Sequence, residues 1–209
     1  MTYEAVADGE LAAVVTYLEM HEPPTAPALP SHLSLRRLED PDPADYRRLF
    51  RLVGARWLWF SRLVMDDAEL AAIIRHPQVE LFAIADRAGH EVGLLELDFR
   101  DEGQCEIAFI GLVPELAGRG HGRWLLAAAL QLAWRNDEGR DGIRRVHVHT
   151  CTLDHPAALS AYRRAGFIAC KRAVERFPDP RLLGILPLDC APQVPLVGTL
   201  TSPAPSPAS

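Results

Sequence analysis

The segment 104–126, QCEIAFIGLVPELAGRGHGRWLL, constrains this chain more than any other. An apolar run passes through Pro114 into glycines at 118, 120 and 122, then into the Leu- and Ala-rich stretch RWLLAAALQLAWRND (123–137). A strand must hand over to a long helix through a loop whose backbone is open to conformations that side chains disfavour. Such a junction has two readings. The glycines can turn a tight corner, or amides free of side chains at the helix start can hold an anion with the helix dipole behind them. Two familiar phosphate loops are excluded. No G-K-[ST] is present, and a G-x-G-x-x-G frame starting at Gly118 meets Arg123 where glycine is required.

The segments around this junction give the element order. LAAVVTYLEM (11–20) is rich in β-branched residues and bounded by turn formers, which predicts a strand. HEPPTAPALPSH (21–32) reads as a proline-rich linker, and LSLRRL (33–38) as a half-buried strand. Asp42 before Pro43 starts a helix through about Val53, and DDAELAAIIRH (66–76) a second one with acids at its N-terminus. Strand-like runs at 79–86, 91–100 and 105–113, punctuated by RAGH and DEGQ, form an antiparallel meander. After the long helix, GRDG marks a stop, RRVHVH (144–149) a strand, HPAALSAYRRA (155–165) a short helix closed by Gly166, and FIACKRAVERF a last strand. One strand–helix–strand crossover in a series of hairpins means an α/β (α+β) chain with a mixed sheet, not a doubly wound parallel one.

At 209 residues this is one domain with additions: 1–32 as an N-terminal strand extension and linker, 33–186 as the domain, and 187–209 as a Pro/Ser/Ala-rich tail expected to be disordered. A net charge of −6 argues against a nucleic-acid or anionic-membrane surface, and no apolar run approaches the ~20 residues of a membrane helix. Four widely spaced cysteines without a C-x-x-C pair, and no signal-like N-terminus, point to a cytoplasmic protein with free thiols. His147 and His149 share a strand face near His155, but no carboxylate or cysteine ligand pattern accompanies them, so no metal is expected.

Two blocks together resemble the GNAT superfamily of GCN5-related N-acyltransferases. Ala117-Gly118-Arg119-Gly120-His121-Gly122 stands where that family carries [QR]-x-x-G-x-[GA], with alanine in the first position. DHPAALSAYRRAGF (154–167) is similar to the family's N-x-x-A-x-x-x-Y-x-x-x-G-F: Ala158, Tyr162, Gly166 and Phe167 match, and His155 replaces the asparagine. The resemblance spans roughly 33–177. It implies a mostly antiparallel sheet with one parallel strand pair splayed around a coenzyme A site, helices on both faces, and acyl transfer from acetyl-CoA or another acyl-CoA to a primary amine of a small molecule or peptide, without metal.

Residue by residue, the resemblance implies that the amides from Gly118 to Gly122 grip the pyrophosphate, with Arg119 and Arg123 as charge partners and His121 contributing its amide. The cofactor's amide-bearing arm pairs with backbone near Leu112 and Val113, and His155 is a cofactor-side candidate by position. Glu106, on the strand before the loop, resembles the family's strand glutamate base, for which a raised pKa is expected. Glu96 or Asp98 is the reserve. Tyr162 matches the tyrosine that approaches the CoA sulfur as the acid. Trp57, Trp59 and Phe60 either line the acceptor site or pack the first helices on the sheet. A homodimer is left open, and a non-catalytic acyl-CoA-binding module is the alternative.

Overall fold

The computed structural model describes residues 2–24, 30–135 and 142–199. In chain order they form β1 (Glu10–Met20), β2 (Ser34–Arg37), α1 (Pro43–Gly54), α2 (Asp67–Ile74), β3 (Val79–Ala85), β4 (Glu91–Asp98), β5 (Gln104–Leu112), α3 (His121–Ala133), β6 (Arg145–Cys151), α4 (Ala158–Arg164) and β7 (Ile168–Pro178). The strands make one sheet in the order β2-β3-β4-β5-β6-β1-β7. All neighbours are antiparallel except β5 and β6, which run parallel. The expected mixed sheet is therefore the observed one.

Local signals start the helices. Asp42 accepts hydrogen bonds from the amides of Ala44 and Asp45, with Pro43 supplying a preset φ to the first turn of α1. Asp66 and Glu69 close a reciprocal capping box on α2. Tyr46, Leu49, Phe50 and Val53 of α1, with Leu70 and Ile74 of α2, pack on Leu81, Ala83 and Leu94. On the opposite face Leu125, Leu126, Ala129, Leu130 and Ala133 of α3, with Tyr162 and Phe167, cover Phe82, Ile84, Leu95, Ile107, Val146 and Val148. Helices on both faces explain why VELFAIA of β3 is buried along its whole length rather than alternating.

The segment 1–32 supplies β1 to the sheet. β6 and β7 are both antiparallel to β1, so the β6–α4–β7 crossover leaves a slot one strand wide, which β1 fills. Ala13, Val15, Leu18 and Met20 are buried there. Residues 25–29 of the proline-rich stretch lie outside the described residues, as do 136–141, with most of GRDG, and 200–209. Of the expected tail, residues 187–199 are described. Ala191 is fully buried with Leu58 and Leu186, and Arg181 reaches the carbonyls of Ala191 and Val194.

Two features of β5 prepare the site. Between Ile107 and Phe109 the register against β4 shifts by one residue. This bulge turns Phe109 toward the α1 layer, while Ile110 and Leu112 join the α3 layer. In addition, β5 pairs with β6 only over Gln104–Glu106 against Arg145–His147. Beyond Glu106 the two strands part.

Candidate active site

The glycine loop follows a single turn at Pro114–Leu116. Gly118 (φ 74°) and Gly120 (φ 84°) are left-handed, and Gly120 caps α3 without any side-chain bond. Two left-handed turns throw successive amides to one side, at a helix start that favours negative charge. Among the described residues, no hydrogen bond takes up the amides of Gly118, Arg119, Gly120, His121 or Gly122. Gly122 is the telling position. Its φ is ordinary and a Cβ there would meet nothing within 4 Å, so the chain's own packing gives no reason for glycine. A surface that a ligand must approach closely does. Arg119, Arg123 and Arg87 line an open cleft of roughly 540 Å³ beside the loop, with His32, His121 and Trp124. The His32 and His121 rings meet edge-on at 4.6 Å. This donor set fits a diphosphate-bearing group.

Past Glu106, the β6-facing edge of Ile107–Leu112 has no ladder partner among the described residues, whereas the Val113 amide is bonded to the Val92 carbonyl on the β4 side. Leu112 thus offers backbone toward the splay, and Val113 ends the strand. An amide-bearing arm lying in that V would lead from the glycine loop to the point where the strands join.

That apex holds an ionisable cluster. Glu106 lies opposite Asp98 on β4 and His147 on β6. His149, the next β6 residue on the same face, brings Nδ1 to 3.4 Å from Glu106 Oε1. The expected raised pKa of Glu106 is not found. Its hydrogen bond with His149 holds the carboxyl below the usual range, against the effect of burial, and the same contact raises His149. Burial instead lowers His147. Glu106 therefore adds stability above the ordinary carboxylate range that is lost as pH falls through its lowered pKa. His149 adds stability below the ordinary imidazole value that is lost as pH rises through its raised one. The contact therefore favours the ionic form of the Glu106–His149 pair, while burial favours the neutral form of His147. A cleft of roughly 300 Å³ lined by Asp98, Arg100, Asp101, Glu106 and His147 opens here.

The reserve carboxylates are otherwise engaged. Glu96 is fully buried and accepts from Tyr46 Oη at 2.5 Å and Arg62 Nη2 at 2.6 Å, with the Arg62 guanidinium over Phe109. This buried triad ties α1 to the sheet. Burial works against the charge of Asp98, but Arg100 bonds both its oxygens and keeps its pKa low.

Tyr162 is buried on α4, edge-on to Phe167. Burial, and then the nearby Asp154, push its phenol well up, so it stays protonated. Asp154 carries weight that sequence reasoning missed, although it directly precedes the motif. It accepts from Thr150 Oγ1 at 2.7 Å, the Cys151 amide at 2.8 Å and Trp59 Nε1 at 3.3 Å, joining the end of β6 to the loop after α1. His155 is not brought to the glycine loop by any contact found. Its Nδ1 accepts from the Ala157 amide, and its ring lies edge-on to Trp57 at 5.1 Å.

The aromatic segment divides. Trp59 is a packing residue: a Cβ on Gly54 would come within 2.4 Å of its ring, and one on Gly111 within 3.2 Å. Trp57 and Phe60 pack against His155 and Phe177 respectively. Leu58 between them is buried with a left-handed φ of 58°, a conformation that tertiary packing must hold in place.

A family model described as the acetyltransferase (GNAT) family matches residues 44–167. The chain belongs to the GNAT acetyltransferase family. That span runs from the first turn of α1 through the glycine loop to Phe167, so the parallel pair, the splay and Tyr162 all lie within it. No curated protein matches the sequence. Among solved structures, the GNAT chain resembles a GCN5-related N-acetyltransferase from Sphaerobacter thermophilus (TM-score 0.54, 21% identity), covering 82% of this chain and 52% of that one. It thus spans about half of that protein. It is also similar to an aminoglycoside acetyltransferase from an uncultured soil metagenomic sample (TM-score 0.51, 20% identity; 69% of this chain, 93% of that one). A spermidine N-acetyltransferase chimera from Vibrio cholerae and hSSAT gives a TM-score of 0.50 at 23% identity, over 70% of this chain and 94% of that one. At these identities the likeness is one of fold.

Proposed function

We propose that this GNAT domain transfers an acyl group, most simply acetyl, from acyl-CoA to a primary amine of a small molecule or peptide by direct attack in a ternary complex. The observation that carries the reading is the unbonded amide run from Gly118 to Gly122 with open space before Gly122, set at the mouth of the β5–β6 splay. When bound, the thioester supplies an electrophilic carbonyl and a thiolate leaving group. The loop amides, with Arg119 and Arg123, hold the diphosphate, and the open edge of β5 at Leu112 aligns the arm. At the apex, the Glu106 carboxylate and the neutral His147 imidazole receive the ammonium proton. Burial favours the neutral, proton-accepting form of the His147 imidazole, whereas the contact with His149 engages the Glu106 carboxylate. Tyr162 keeps its proton for the departing sulfur. Aminoglycosides and spermidine, acceptors of the two similar enzymes, are the first amines to try.

Acetyl-CoA should raise the melting temperature, with a stabilisation of about 2.7 kcal/mol at a hundred times Kd. Gly122→Leu separates this reading from a structural loop. Leucine is the better helix former by roughly 0.5–1 kcal/mol, and nothing in the chain obstructs it, so the free protein should melt no lower while the acetyl-CoA shift disappears. An undiminished shift in Gly122→Leu would remove the loop from the binding site. Tyr162→Phe should lower kcat by about 10²-fold with little change in CoA affinity; equal turnover would end its role as acid.

A further inference from the structure

We infer that β7 is a pairing edge for a second copy of this chain, placing two seven-stranded sheets side by side about a two-fold axis at Ala173. The opposite edge strand, β2, has four residues; β7 has eleven, and each is exposed or half-buried. Neither helical layer covers it. Ile168 is 71% exposed, Val174 67%, and Val14 beside it on β1 42%. A long uncovered edge invites strand addition unless its charges forbid it. Here the charges favour one register. In antiparallel self-pairing about Ala173, Lys171 faces Glu175 of the partner subunit, and the symmetry repeats the contact. Directly opposed unlike charges support strand pairing, and like charges oppose it. The side chains stand on one face, as a spacing of four along a strand requires: Lys171 lies over Tyr17 at 5.1 Å, and Glu175 acts on His149. On the other face Arg172 meets Val174 of the partner subunit, and Arg176 is already paired with Glu4. Because Glu175 influences His149, the joint borders the face that carries Glu106 and His147. The interface stands independently of the acyltransfer reading.

Sedimentation velocity of the full chain tests it. The wild type should associate to twice the chain mass, Lys171→Glu should shift it to a monomer, and the exchange Lys171→Glu/Glu175→Lys should restore the dimer. A wild type that sediments as a monomer throughout overturns the inference, as does a dimer that survives Lys171→Glu or is not restored by the exchange. Ala173→Cys gives a second reading that does not depend on charge. A residue on the axis faces its own copy at about 4.5–5.5 Å between Cα atoms, within disulfide range, so mild oxidation should yield a covalent dimer. Native Cys170 lies opposite Arg176 in this register, about 20 Å along the strand from its own copy, and should not cross-link. No covalent dimer from Ala173→Cys, or equal cross-linking of the wild type, contradicts the register.

Discussion

Glu106→Gln should lower kcat/KM for an amine acceptor by about 10²–10⁴-fold and leave acetyl-CoA affinity unchanged. The substitution is isosteric at a half-buried position, so the splay and the glycine loop should stay intact. What it removes is the negative charge at the apex where β5 and β6 join. That charge raises both neighbouring imidazoles, and burial already holds His147 below its ordinary value. With neutral His147 as the proton sink, the acid limb of the wild-type profile should lie below the free-imidazole range. In Glu106→Gln it should move further down, because the carboxylate no longer favours the imidazolium. His147→Asn should remove that limb. A profile that does not move in Glu106→Gln takes His147 out of the proton path, and an unchanged rate takes Glu106 out of the site.

Arg181→Met should destabilise the fold by about 3–5 kcal/mol, read by urea unfolding. Arg181 and Asp179 are each 1% exposed. The guanidinium donates Nη2 to Asp179 at 2.7 Å and Nε at 3.0 Å, and Nη1 to the carbonyls of Val194 at 2.8 Å and Ala191 at 3.2 Å. Removing it strands a buried carboxylate together with two carbonyls. Asp179→Asn added to Arg181→Met should recover only part of the loss, because the carbonyls remain without a donor. The consequence reaches the loop after α1. Leu186 and Ala191 pack with Leu58, and Phe60, Leu63 and Leu153 flank them, so loosening this segment frees the loop that carries Trp57 and Phe60. Loss of less than about 1 kcal/mol, the range of an exposed pair, would mean that the segment contributes no more than a surface contact.

The helices and strands were legible because each carries its own signal: Asp42 and Asp66 before helical runs, alternation in the meander, Gly166 after α4. The glycine loop and Tyr162 were legible as spaced motifs. What joins distant segments was not. LAAVVTYLEM read as a strand, but no local pattern tells that it fills the slot between β6 and β7. The position of Glu106 could be read, yet its pairing with His149 depends on where a three-residue parallel ladder sets the register. The expectation of a raised pKa failed on that contact. For Trp59 the sequence left acceptor wall and packing both open, and only the approach of Gly54 and Gly111 to its ring shows that it packs. The proline content beyond Pro187 hid the docking of Ala191 and Val194 on Arg181, although the apolar residues of LLGIL just before it were the available signal.

Amine-dependent release of free thiol from acetyl-CoA tests the central claim most directly. With a panel of small amines and amino-terminal peptides that includes spermidine and an aminoglycoside, at least one acceptor should release thiol in proportion to enzyme. That release should be lost in Gly122→Leu and reduced in Glu106→Gln. Binding of acetyl-CoA with no thiol release above background for any amine would contradict acyl transfer and leave a module that only binds the donor.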